Sequence, residues 1–254
     1  MIDIHAHILP GIDDGAQDIY DTLEMASIAE KSGVTEIIAT PHCNIPGYFD
    51  NYFGKAYRET FRWAKEVLRQ ENIPIKLNPG MEVFATYDLP DLIVDEKVIP
   101  LNGSRYILIE FDFQEDPEFA EDLLMRVKAI RAKPVIAHAE RYEFVQDNPA
   151  IVYEWRKKGY VIQANKSSFQ GGFGRHAQHT AYQLLHHNLI SVVASDTHSP
   201  YKRTPFMIGA YEEVCEEYTK HRADLLFLHN PRNICNNRPI LKLEPVPFTG
   251  YGIL

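Results

Sequence analysis

Two apolar runs, YILIEF at residues 106–111 and PVIAH at residues 134–138, decide the fold class that this sequence predicts. Neither run alternates apolar with polar residues, and continuous apolar runs are typical of parallel strands that are covered on both faces. Each run carries a polar residue at its end, Glu110 in the first and His138 in the second. The sequence therefore predicts a parallel sheet with polar side chains at the carboxyl ends of its strands.

The same pattern of short apolar runs and helical segments recurs along the chain. Strands that alternate with helices are joined by crossover connections into a parallel sheet. The predicted strands cover residues 2–4, 34–39, 75–83, 106–111, 134–137, 160–164 and 189–194. The clearest predicted helices cover residues 22–31, 56–69, 120–131 and 177–187. A closed α/β barrel, or a sheet close to one, fits this order, and active sites of such barrels lie at the carboxyl ends of the strands.

Length and composition agree with one domain over residues 1–254. The chain has 254 residues, of which 45% are hydrophobic, and a single α/β barrel routinely uses about 200–250 residues. Residues 44–55 and 165–175 are rich in glycine, asparagine and aromatic residues, so we expect long loops at the rim of the barrel. The tail after Asn236 is expected to be an irregular surface segment.

Charge and cysteine content limit the classes of partner. A formal net charge of −9 argues against nucleic acid as a partner, because phosphate neutralisation needs clustered lysine and arginine. The three cysteines are widely spaced, which suits a reducing compartment better than a disulfide framework. Without an apolar run near 18 residues or a basic leader, we expect a cytoplasmic protein with no membrane insertion.

Histidines and carboxylates concentrate near the predicted strand ends. His5 and His7 lie two residues apart on a strand, so both side chains leave the same face and can reach one metal ion. Taken alone, two polar residues at a strand end explain this pair equally well, and a turn explains Asp14 before glycine. Glu110 is harder to explain, because a carboxylate buried at a strand end is costly unless it is paired or metal-bound. The complete set of candidate metal ligands is His5, His7, Asp14, His42, Glu82, Glu110, His138, Asp196 and His198.

The ligand types limit the metal. Imidazole and carboxylate groups without thiolate suit Mn, Fe, Co or Zn, and the order of affinities does not choose among these ions. Mg is a further candidate. The set of candidate ligands thus predicts a divalent metal centre of unassigned metal.

Short segments of the chain resemble those of the polymerase-and-histidinol-phosphatase (PHP) superfamily. In order they are DIHAHILPGIDDG (3–15), TPH (40–42), GMEV (80–83), YILIEF, PVIAHAERY (134–142), SDTHS (195–199) and the arginine of YKRTP (201–205). They are more similar to its CpsB/CapC-like branch, the bacterial manganese-dependent tyrosine-protein phosphatases linked to capsular polysaccharide synthesis. Many relatives carry histidine where Glu110 stands, whereas a glutamate there is what this branch shows.

The resemblance implies a distorted (β/α)7 TIM-like barrel that holds three divalent ions, with Mn as the expected metal. It distributes the candidate ligands among these ions. The first ion is expected to bind His5, His7, Glu82 and Asp196. The second is expected to share Glu82 and to bind Glu110 and His138, and the third to bind Asp14, His42 and His198.

The resemblance also implies a reaction, the hydrolysis of phosphotyrosine on a protein. A hydroxide held between two ions is expected to attack phosphorus, since a bound metal can lower the pKa of water from 15.7 to about 7. Arg141 and Arg203 are expected to bind phosphate oxygens, because guanidinium groups match phosphate geometry and stay charged; without the resemblance, a surface role is equally probable for each. The implied partner is a bacterial tyrosine kinase or one of its substrates.

Other functions remain open at this stage. A cysteine nucleophile is excluded, because no arginine follows Cys43, Cys215 or Cys235 by six positions. A small-molecule phosphoesterase such as histidinol-phosphate phosphatase would use the same metal centre. A metal-dependent amidohydrolase also begins with an H-x-H strand, but it typically needs only two ions. A docking module without catalysis is the remaining alternative, and the complete ligand set argues against it.

Overall fold

The computed structural model describes residues 1–248 of the chain, and strands alternate with helices throughout most of this range. Within these residues the strands are β1 Ile2–Ala6, β2 Glu36–Ala39, β3 His42–Cys43, β4 Lys76–Pro79, β5 Glu82–Phe84, β6 Tyr106–Glu110, β7 Lys133–Ile136, β8 Val161–Asn165 and β9 Val192–Ala194. The helices are α1 Ile19–Lys31, α2 Lys55–Gln70, α3 Leu89–Val94, α4 Pro117–Ala129, α5 Glu143–Asp147, α6 Ala150–Lys158, α7 Lys166–Phe169, α8 Gly174–His186, α9 Ile208–Glu217, α10 Lys220–Asp224 and α11 Asn230–Cys235. Each predicted strand and helix overlaps one of these elements.

The strands form a curled parallel arrangement. Their order is β1-β2-β4 in one sheet and β3-β5-β6-β7-β8-β9 in the other, and every ladder is parallel. The residues after β9 return to β1, where Asp196 N donates to His5 O at 2.9 Å and His7 N donates to Thr197 O at 2.9 Å. The fold is therefore α/β with a curled parallel sheet, and the continuous closed ladder that a complete seven-stranded barrel requires is interrupted.

The interruption lies where the sequence predicts one uninterrupted strand over residues 75–83. Gly80 N lies 3.1 Å from the hydroxyl oxygen of Tyr57, and that hydroxyl donates to Gly80 O at 2.8 Å. Because the backbone groups of Gly80 bond to helix α2, they do not bond to a neighbouring strand, and the strand divides into β4 and β5. Pro41 lies in the matching gap between β2 and β3 and has no N–H for a ladder.

Both faces of the sheet are buried, as the continuous apolar runs predict. Ile107 and Ile109 belong to the larger cluster that packs with the helices, whereas Tyr106 and Leu108 belong to a second cluster with residues of the other strands. This alternation within β6 places consecutive side chains on opposite faces. Glu110 follows Leu108 by two residues, so its carboxylate leaves β6 on the face of the second cluster.

The loops differ in part from the sequence-based prediction. The loop predicted over residues 44–55 is confirmed for residues 44–54, which contain a single antiparallel bridge between Ile45 and Phe49, whereas Lys55 already begins α2. The loop predicted over residues 165–175 is wrong in part, because α7 occupies Lys166–Phe169 and α8 begins at Gly174. The short helix α7 follows β8 without a break, and the glycine-rich turn that remains spans residues 170–173.

The tail is irregular from residue 238 to residue 248, as predicted. It lies against the end of α8, where Val246 N donates to His187 O at 2.9 Å. The tail prediction for residues 249–254 lies outside the described part of the chain. Among the helices of residues 1–248, none is both long and apolar enough to cross a membrane.

Candidate metal centre

All the predicted metal ligands meet at one end of the curled sheet. Glu82 lies at the centre of the group, with Oε1 at 3.1 Å from Nε2 of both His5 and His138. Its other oxygen, Oε2, lies 3.2 Å from His7 Nε2 and 3.0 Å from His42 Nδ1. One carboxylate thus contacts imidazoles from strands β1, β3 and the end of β7. We call the nine predicted ligands together the metal cluster.

The metal cluster divides into groups whose ligand atoms all lie within 4.8 Å of one another. These groups are His5, His7 and Asp196; His42, Glu82 and Glu110; and His7, Asp14, His42 and His198. His138 lies beside the second group, since its Nε2 is 3.2 Å from Glu110 Oε1. The grouping overlaps the predicted ligand sets but lets His7 and His42 each serve two positions, so the assignment of ligands to ions stays a prediction.

Local backbone geometry turns the strand-end side chains toward the cluster. In β1 the pairing with β2 shifts by one residue between Asp3 and Ala6, and such a bulge reverses which side chains face inward. Ile4 therefore packs in the second apolar cluster, while His5 and His7 reach the metal cluster. His138 adopts the left-handed conformation with φ 30°, which breaks the alternation of β7. Positive φ at a non-glycine residue is strained and is common at functional sites.

Several cluster atoms are buried without a hydrogen-bond partner in the described part of the chain. Among these atoms are His42 Nδ1, Glu82 Oε2, Asp196 Oδ1 and His198 Nε2. His42 Nδ1 and Glu82 Oε2 lie only 3.0 Å apart yet form no hydrogen bond. A buried polar atom without a partner costs about 1–3 kcal/mol, and a divalent cation among these lone pairs would satisfy them together. The residues therefore fit a metal centre, and the donor set without thiolate suits Mn, Fe, Co or Zn.

The electrostatics of the metal-free cluster show how strongly these groups interact. Burial lowers the pKa of His5, but the carboxylates of Glu82 and Asp196 outweigh burial and raise it to about 9. Burial opposes Glu82 and Glu110 in the same way at His42, where the pKa rises to about 10. At His198, burial and the neighbouring His7 lower the pKa to about 2. Without a bound metal ion, protons on His5 and His42 would thus supply part of the positive charge that an ion supplies.

A carboxylate that the sequence-based prediction missed holds His7 in place. Asp13 Oδ2 lies 2.7 Å from His7 Nδ1 and accepts from His42 N at 2.9 Å. The Asp13 side chain is fully buried, whereas Asp14, the residue predicted from the same DD pair, is 55% exposed. The pair itself was the available signal, since a ligating histidine commonly donates its second ring nitrogen to a carboxylate.

Polar residues of β8 form a second support that was also missed. Gln163 Oε1 accepts from His138 N at 2.9 Å and lies 3.0 Å from His5 Nδ1. Asn165 donates through Nδ2 to Asp196 Oδ2 at 2.6 Å. The signal was the polar Gln163 and Asn165 within the otherwise apolar segment VIQAN, because polar side chains buried in a strand need defined partners.

The two predicted phosphate-binding arginines lie together at the cluster. Arg141 Nη1 is 3.4 Å and Arg203 Nη2 is 2.5 Å from the same oxygen, Oδ2 of Asp196. Their side chains are 17% and 30% exposed, so both can reach solvent and a bound ligand. Arg203 also has a positive φ of 50°. The structure thus brings both arginines to the same edge of the metal cluster.

A cleft with aromatic walls opens beside the cluster. It has a volume of about 250 Å³ and reaches Asp14, His42 and Glu110 at its floor. The walls include Ile45, Tyr48, Phe49, Phe84, Phe111 and Phe113. Phe49 lies parallel to the ring of His42, with the ring centroids 5.9 Å apart. The 44–54 loop therefore brings aromatic surface directly to the metal cluster.

Comparisons with known proteins identify the family of this chain. The model of a family described as capsular polysaccharide synthesis, CpsB/CapC, matches residues 1–236. The tyrosine-protein phosphatase YwqE of Bacillus subtilis is 35% identical over 247 residues, covering 97% of this chain and 96% of YwqE. The tyrosine-protein phosphatase CpsB of Streptococcus pneumoniae is 31% identical over 239 residues, covering 92% of this chain and 98% of CpsB.

A solved structure gives the same result for the fold. It belongs to a study of YwqE from Bacillus subtilis and CpsB from Streptococcus pneumoniae, described there as unique metal-dependent tyrosine phosphatases. The match has a TM-score of 0.92 at 35% identity and covers 98% of this chain and 100% of the solved chain. Sequence and structure therefore agree that the chain belongs to the CpsB/CapC family of capsular polysaccharide synthesis.

Proposed function

We propose that this protein is a metal-dependent tyrosine-protein phosphatase. The proposal rests on one observation: the metal cluster, two arginines and an aromatic cleft lie together. The cleft reaches His42 and Glu110, and the arginines meet at Asp196 on the same cluster. The relatives YwqE and CpsB, which match nearly the whole chain, carry the name of this activity.

The metal cluster is proposed to hold three divalent ions, with Mn as the expected metal. The proposed ligands are those predicted from the sequence, with Glu82 shared between ions because its two oxygens contact different imidazoles. Bound ions would supply a water of lowered pKa and positive charge for the phosphate oxygens. The choice of Mn rests on the family resemblance, since the ligand types fit several metals.

Arg141 and Arg203 are proposed to bind the non-bridging oxygens of the substrate phosphate. Each now contacts Asp196 Oδ2, and a phosphate oxygen presents the same acceptor chemistry with more charge. Guanidinium groups stay protonated at every physiological pH and can give two parallel hydrogen bonds to an oxyanion. These residues would bind and orient the phosphate and balance the negative charge of its oxygens.

The aromatic cleft is proposed to receive the ring of the phosphotyrosine. A cleft of about 250 Å³ with walls such as Phe49 and Phe84 suits a flat ring better than the short chain of a phosphoserine. The phenol of tyrosine has a pKa of about 10, so the phenolate can leave with little protonation. An aryl phosphate therefore fits both the shape of the cleft and the energetics of the reaction.

The protein's own cysteines offer no alternative nucleophile near the cluster. Cys43 follows His42 directly, but burial and the nearby Asp50 raise the pKa of its thiol to about 12. A thiol with so high a pKa is inert at neutral pH, because only the thiolate attacks. This agrees with a reaction in which water, rather than a side chain, is the nucleophile.

The proposal also covers the barrel architecture, the partner and the cellular location. We propose that the two sheets, joined at His5 and Thr197, act together as a distorted (β/α)7 barrel of one domain over residues 1–254. The proposed partner is a bacterial tyrosine kinase or one of its substrates in the cytoplasm. The link of the CpsB/CapC family to capsular polysaccharide synthesis and the homology to phosphatases named for tyrosine support this partner.

The test compares three substrates with one protein. The protein is stripped with a chelator, reloaded with Mn, and assayed for phosphate release from a phosphotyrosine peptide, a phosphoserine peptide and histidinol phosphate, beside Arg141→Ala. Preference for phosphotyrosine that collapses in the variant supports the proposal. Preference for histidinol phosphate would keep the metal centre and replace the substrate, and no metal-dependent release from any substrate would overturn the proposed activity.

A further inference from the structure

One aromatic ring contacts both of the arginines at the metal cluster. The guanidinium carbon of Arg141 lies 4.1 Å from the ring centroid of Phe173, and that of Arg203 lies 5.3 Å from the same centroid. Both distances fall within the range in which a cation is attracted to the face of an aromatic ring. Phe173 is therefore a shared neighbour of two like charges that also share Asp196 Oδ2.

A second ring completes the environment of Arg141. Phe113, in the loop after β6, has its ring centroid 4.4 Å from the guanidinium carbon of Arg141. Phe113 and Phe173 together with Arg141 line a small cavity of about 190 Å³ at this edge of the site. We call this arrangement of Phe113, Arg141 and Phe173 the arginine clamp.

The arginine clamp restricts the side chain that is proposed to bind phosphate. The side chain of Arg141 has four rotatable bonds, and fixing such a chain costs up to about 2 kcal/mol of rotamer entropy. Aromatic carbon atoms are not hydrogen-bond acceptors of the usual kind, so these contacts leave the N–H groups of the guanidinium available to oxygen acceptors. In the described residues, its side chain donates only to Asp196, at 3.4 Å. Most of its donors thus stay available for the oxygens of a phosphate.

The position of Phe173 is fixed by the backbone on both sides of it. Gly172 N donates to Ser167 O at 2.8 Å, which holds the turn against α7, and Gly174 begins α8 with φ 88°. A Cβ at position 172 would lie 3.0 Å from Ser167 O, a tight contact that would require the turn to shift by a few tenths of an ångström. The glycine-rich turn, which carries no other side chain to the cluster, therefore presents one ring to the arginines.

Packing in the hydrophobic core does not account for the positions of Phe113 and Phe173. Phe113 is 38% exposed and Phe173 is only half-buried, so neither ring fills the core. A partly exposed ring contributes less to stability than a core ring, because hydrophobic stabilisation follows the apolar area removed from water. Here each ring is placed against the guanidinium of a residue at the metal cluster.

We propose that Phe173 is a positioning residue that aligns Arg141 and Arg203 for the substrate phosphate, with Phe113 as a second ring against Arg141. This inference rests on the proposed function, since it needs a phosphate to be bound there. It assigns a role to the glycine-rich turn between α7 and α8. The ring acts through the arginines and does not itself touch the reacting atoms.

The first experiment measures KM and kcat for para-nitrophenyl phosphate with the Mn-loaded protein and Phe173→Leu. Loss of the ring should raise KM roughly 3- to 10-fold, the range that a partly exposed cation–π contact supports. It should change kcat by less than about twofold, because the contact is made with bound substrate and transition state alike. The inhibition constant of inorganic phosphate should rise by the same factor as KM. Phe173→Tyr and Phe173→Trp, which keep a ring face, should restore both constants.

A matched control is Phe61→Leu, which removes a half-buried ring on α2 that stacks on Tyr57 at 6.2 Å. Phe61→Leu should leave KM unchanged. The Mn content of all variants, measured by mass spectrometry after gel filtration, should equal that of the unchanged protein. A Mn content that falls in Phe173→Leu would overturn the inference, because the ring would then support the metal cluster rather than the arginines.

A double-mutant cycle tests whether the ring acts through the arginines. In a background of Arg141→Ala and Arg203→Ala, Phe173→Leu should weaken phosphate binding by less than about 1.5-fold, since coupled residues are not additive. An undiminished effect in that background would overturn the inference.

Calorimetric binding of inorganic phosphate to the Mn-loaded protein separates this inference from the proposed phosphatase activity. If phosphate binds and Phe173→Leu weakens binding, the clamp holds even where aryl phosphatase activity is absent; equal binding in both proteins overturns the clamp alone.

Discussion

Asp13 Oδ2 lies 2.7 Å from Nδ1 of His7, and the same oxygen accepts the backbone N–H of His42 at 2.9 Å. One buried carboxylate thereby fixes two strand ends of the metal cluster relative to each other. It also decides which nitrogen of His7 is free to bind a metal ion. A proton held at Nδ1 leaves the lone pair on Nε2, the nitrogen that lies beside Glu82. Asp13 thus orients His7 as a metal ligand and is not itself one of the predicted ligands.

Replacing Asp13 by asparagine should weaken metal binding without removing any ligand. The amide keeps the size of the side chain but loses the negative charge that makes His7 a stronger donor. Loss of such a carboxylate behind a ligating histidine typically costs about 10- to 100-fold in metal affinity. A titration of the chelated protein with Mn, followed by calorimetry, measures the change.

Asp147→Asn is the matched control, because Asp147 is exposed at the end of α5. It should bind Mn with the affinity of the unchanged protein. If Asp13→Asn also binds Mn with unchanged affinity, the carboxylate does not orient His7 in the way described.

Gly15→Ala should disturb the same loop by crowding. A Cβ at position 15 would overlap the carbonyl oxygen and the Cβ of His7, and backbone atoms cannot move aside cheaply. Overpacking of this kind costs about 1–3 kcal/mol or more. We expect a lower melting temperature and weaker Mn binding.

Gly54→Ala is the comparison for this change. Its added Cβ would meet only Tyr52 O at 3.6 Å, an ordinary contact, so the melting temperature should fall much less than that of Gly15→Ala, by no more than the small cost of alanine at a helix N-cap. Equal melting temperatures for Gly15→Ala and Gly54→Ala would show that the loop at Asp13 and Asp14 adapts.

The sequence predicted those parts of the site that follow from strand position. In a parallel sheet the carboxyl ends of neighbouring strands meet, so Glu110 and His138 could be placed together from two apolar runs alone. The bulge in β1 and the left-handed backbone at His138 were not needed for this inference, although they aim the side chains. Burial on both faces made polar residues at these positions informative.

The parts that were missed depend on contacts between distant segments. Asp13 could not be separated from Asp14 by a local rule, because the choice depends on where His7 and His42 lie after folding. The break at Gly80 depends on the hydroxyl of Tyr57 from helix α2. The contact of Phe173 with two arginines joins segments thirty or more residues apart, and no periodicity marks an aromatic residue in a glycine-rich turn.

Arg141→Lys should fail to replace the arginine although the charge is kept. Lysine has a compact ammonium group in place of the planar guanidinium that contacts Phe113 and Phe173. It cannot form the two parallel hydrogen bonds that guanidinium gives to an oxyanion. We expect KM for para-nitrophenyl phosphate to rise about tenfold, the loss of roughly one charge-assisted hydrogen bond.

The measurement compares Arg141→Lys with Arg141→Ala and with Arg105→Lys, an arginine before β6 that lines a different cavity. Arg105→Lys should retain the original KM. A lysine at position 141 that restores KM would show that charge alone matters there, against the role given to the planar group.

The metal-free protein should lose stability as the pH rises above neutrality. The folded-state pKa of His5 is raised to about 9 and that of His42 to about 10, against about 6.5 in an unfolded chain. Below pH 6.5 both states hold these protons, and the stabilisation is fully present. As pH rises, the unfolded chain loses its protons first, so the stabilisation decreases and is lost by about pH 10.

Melting temperatures of the chelated protein at pH 6.5, 7.5, 8.5 and 9.5 test this dependence. They should fall steadily, whereas the Mn-loaded protein should change much less, because metal ligands are already deprotonated. His42→Gln should flatten the fall in the chelated protein, and His176→Gln, an exposed residue on α8, should leave it unchanged. A chelated protein whose melting temperature rises between pH 6.5 and 9.5 would contradict the raised pKa values of His5 and His42, and with them the role of protons in replacing metal charge.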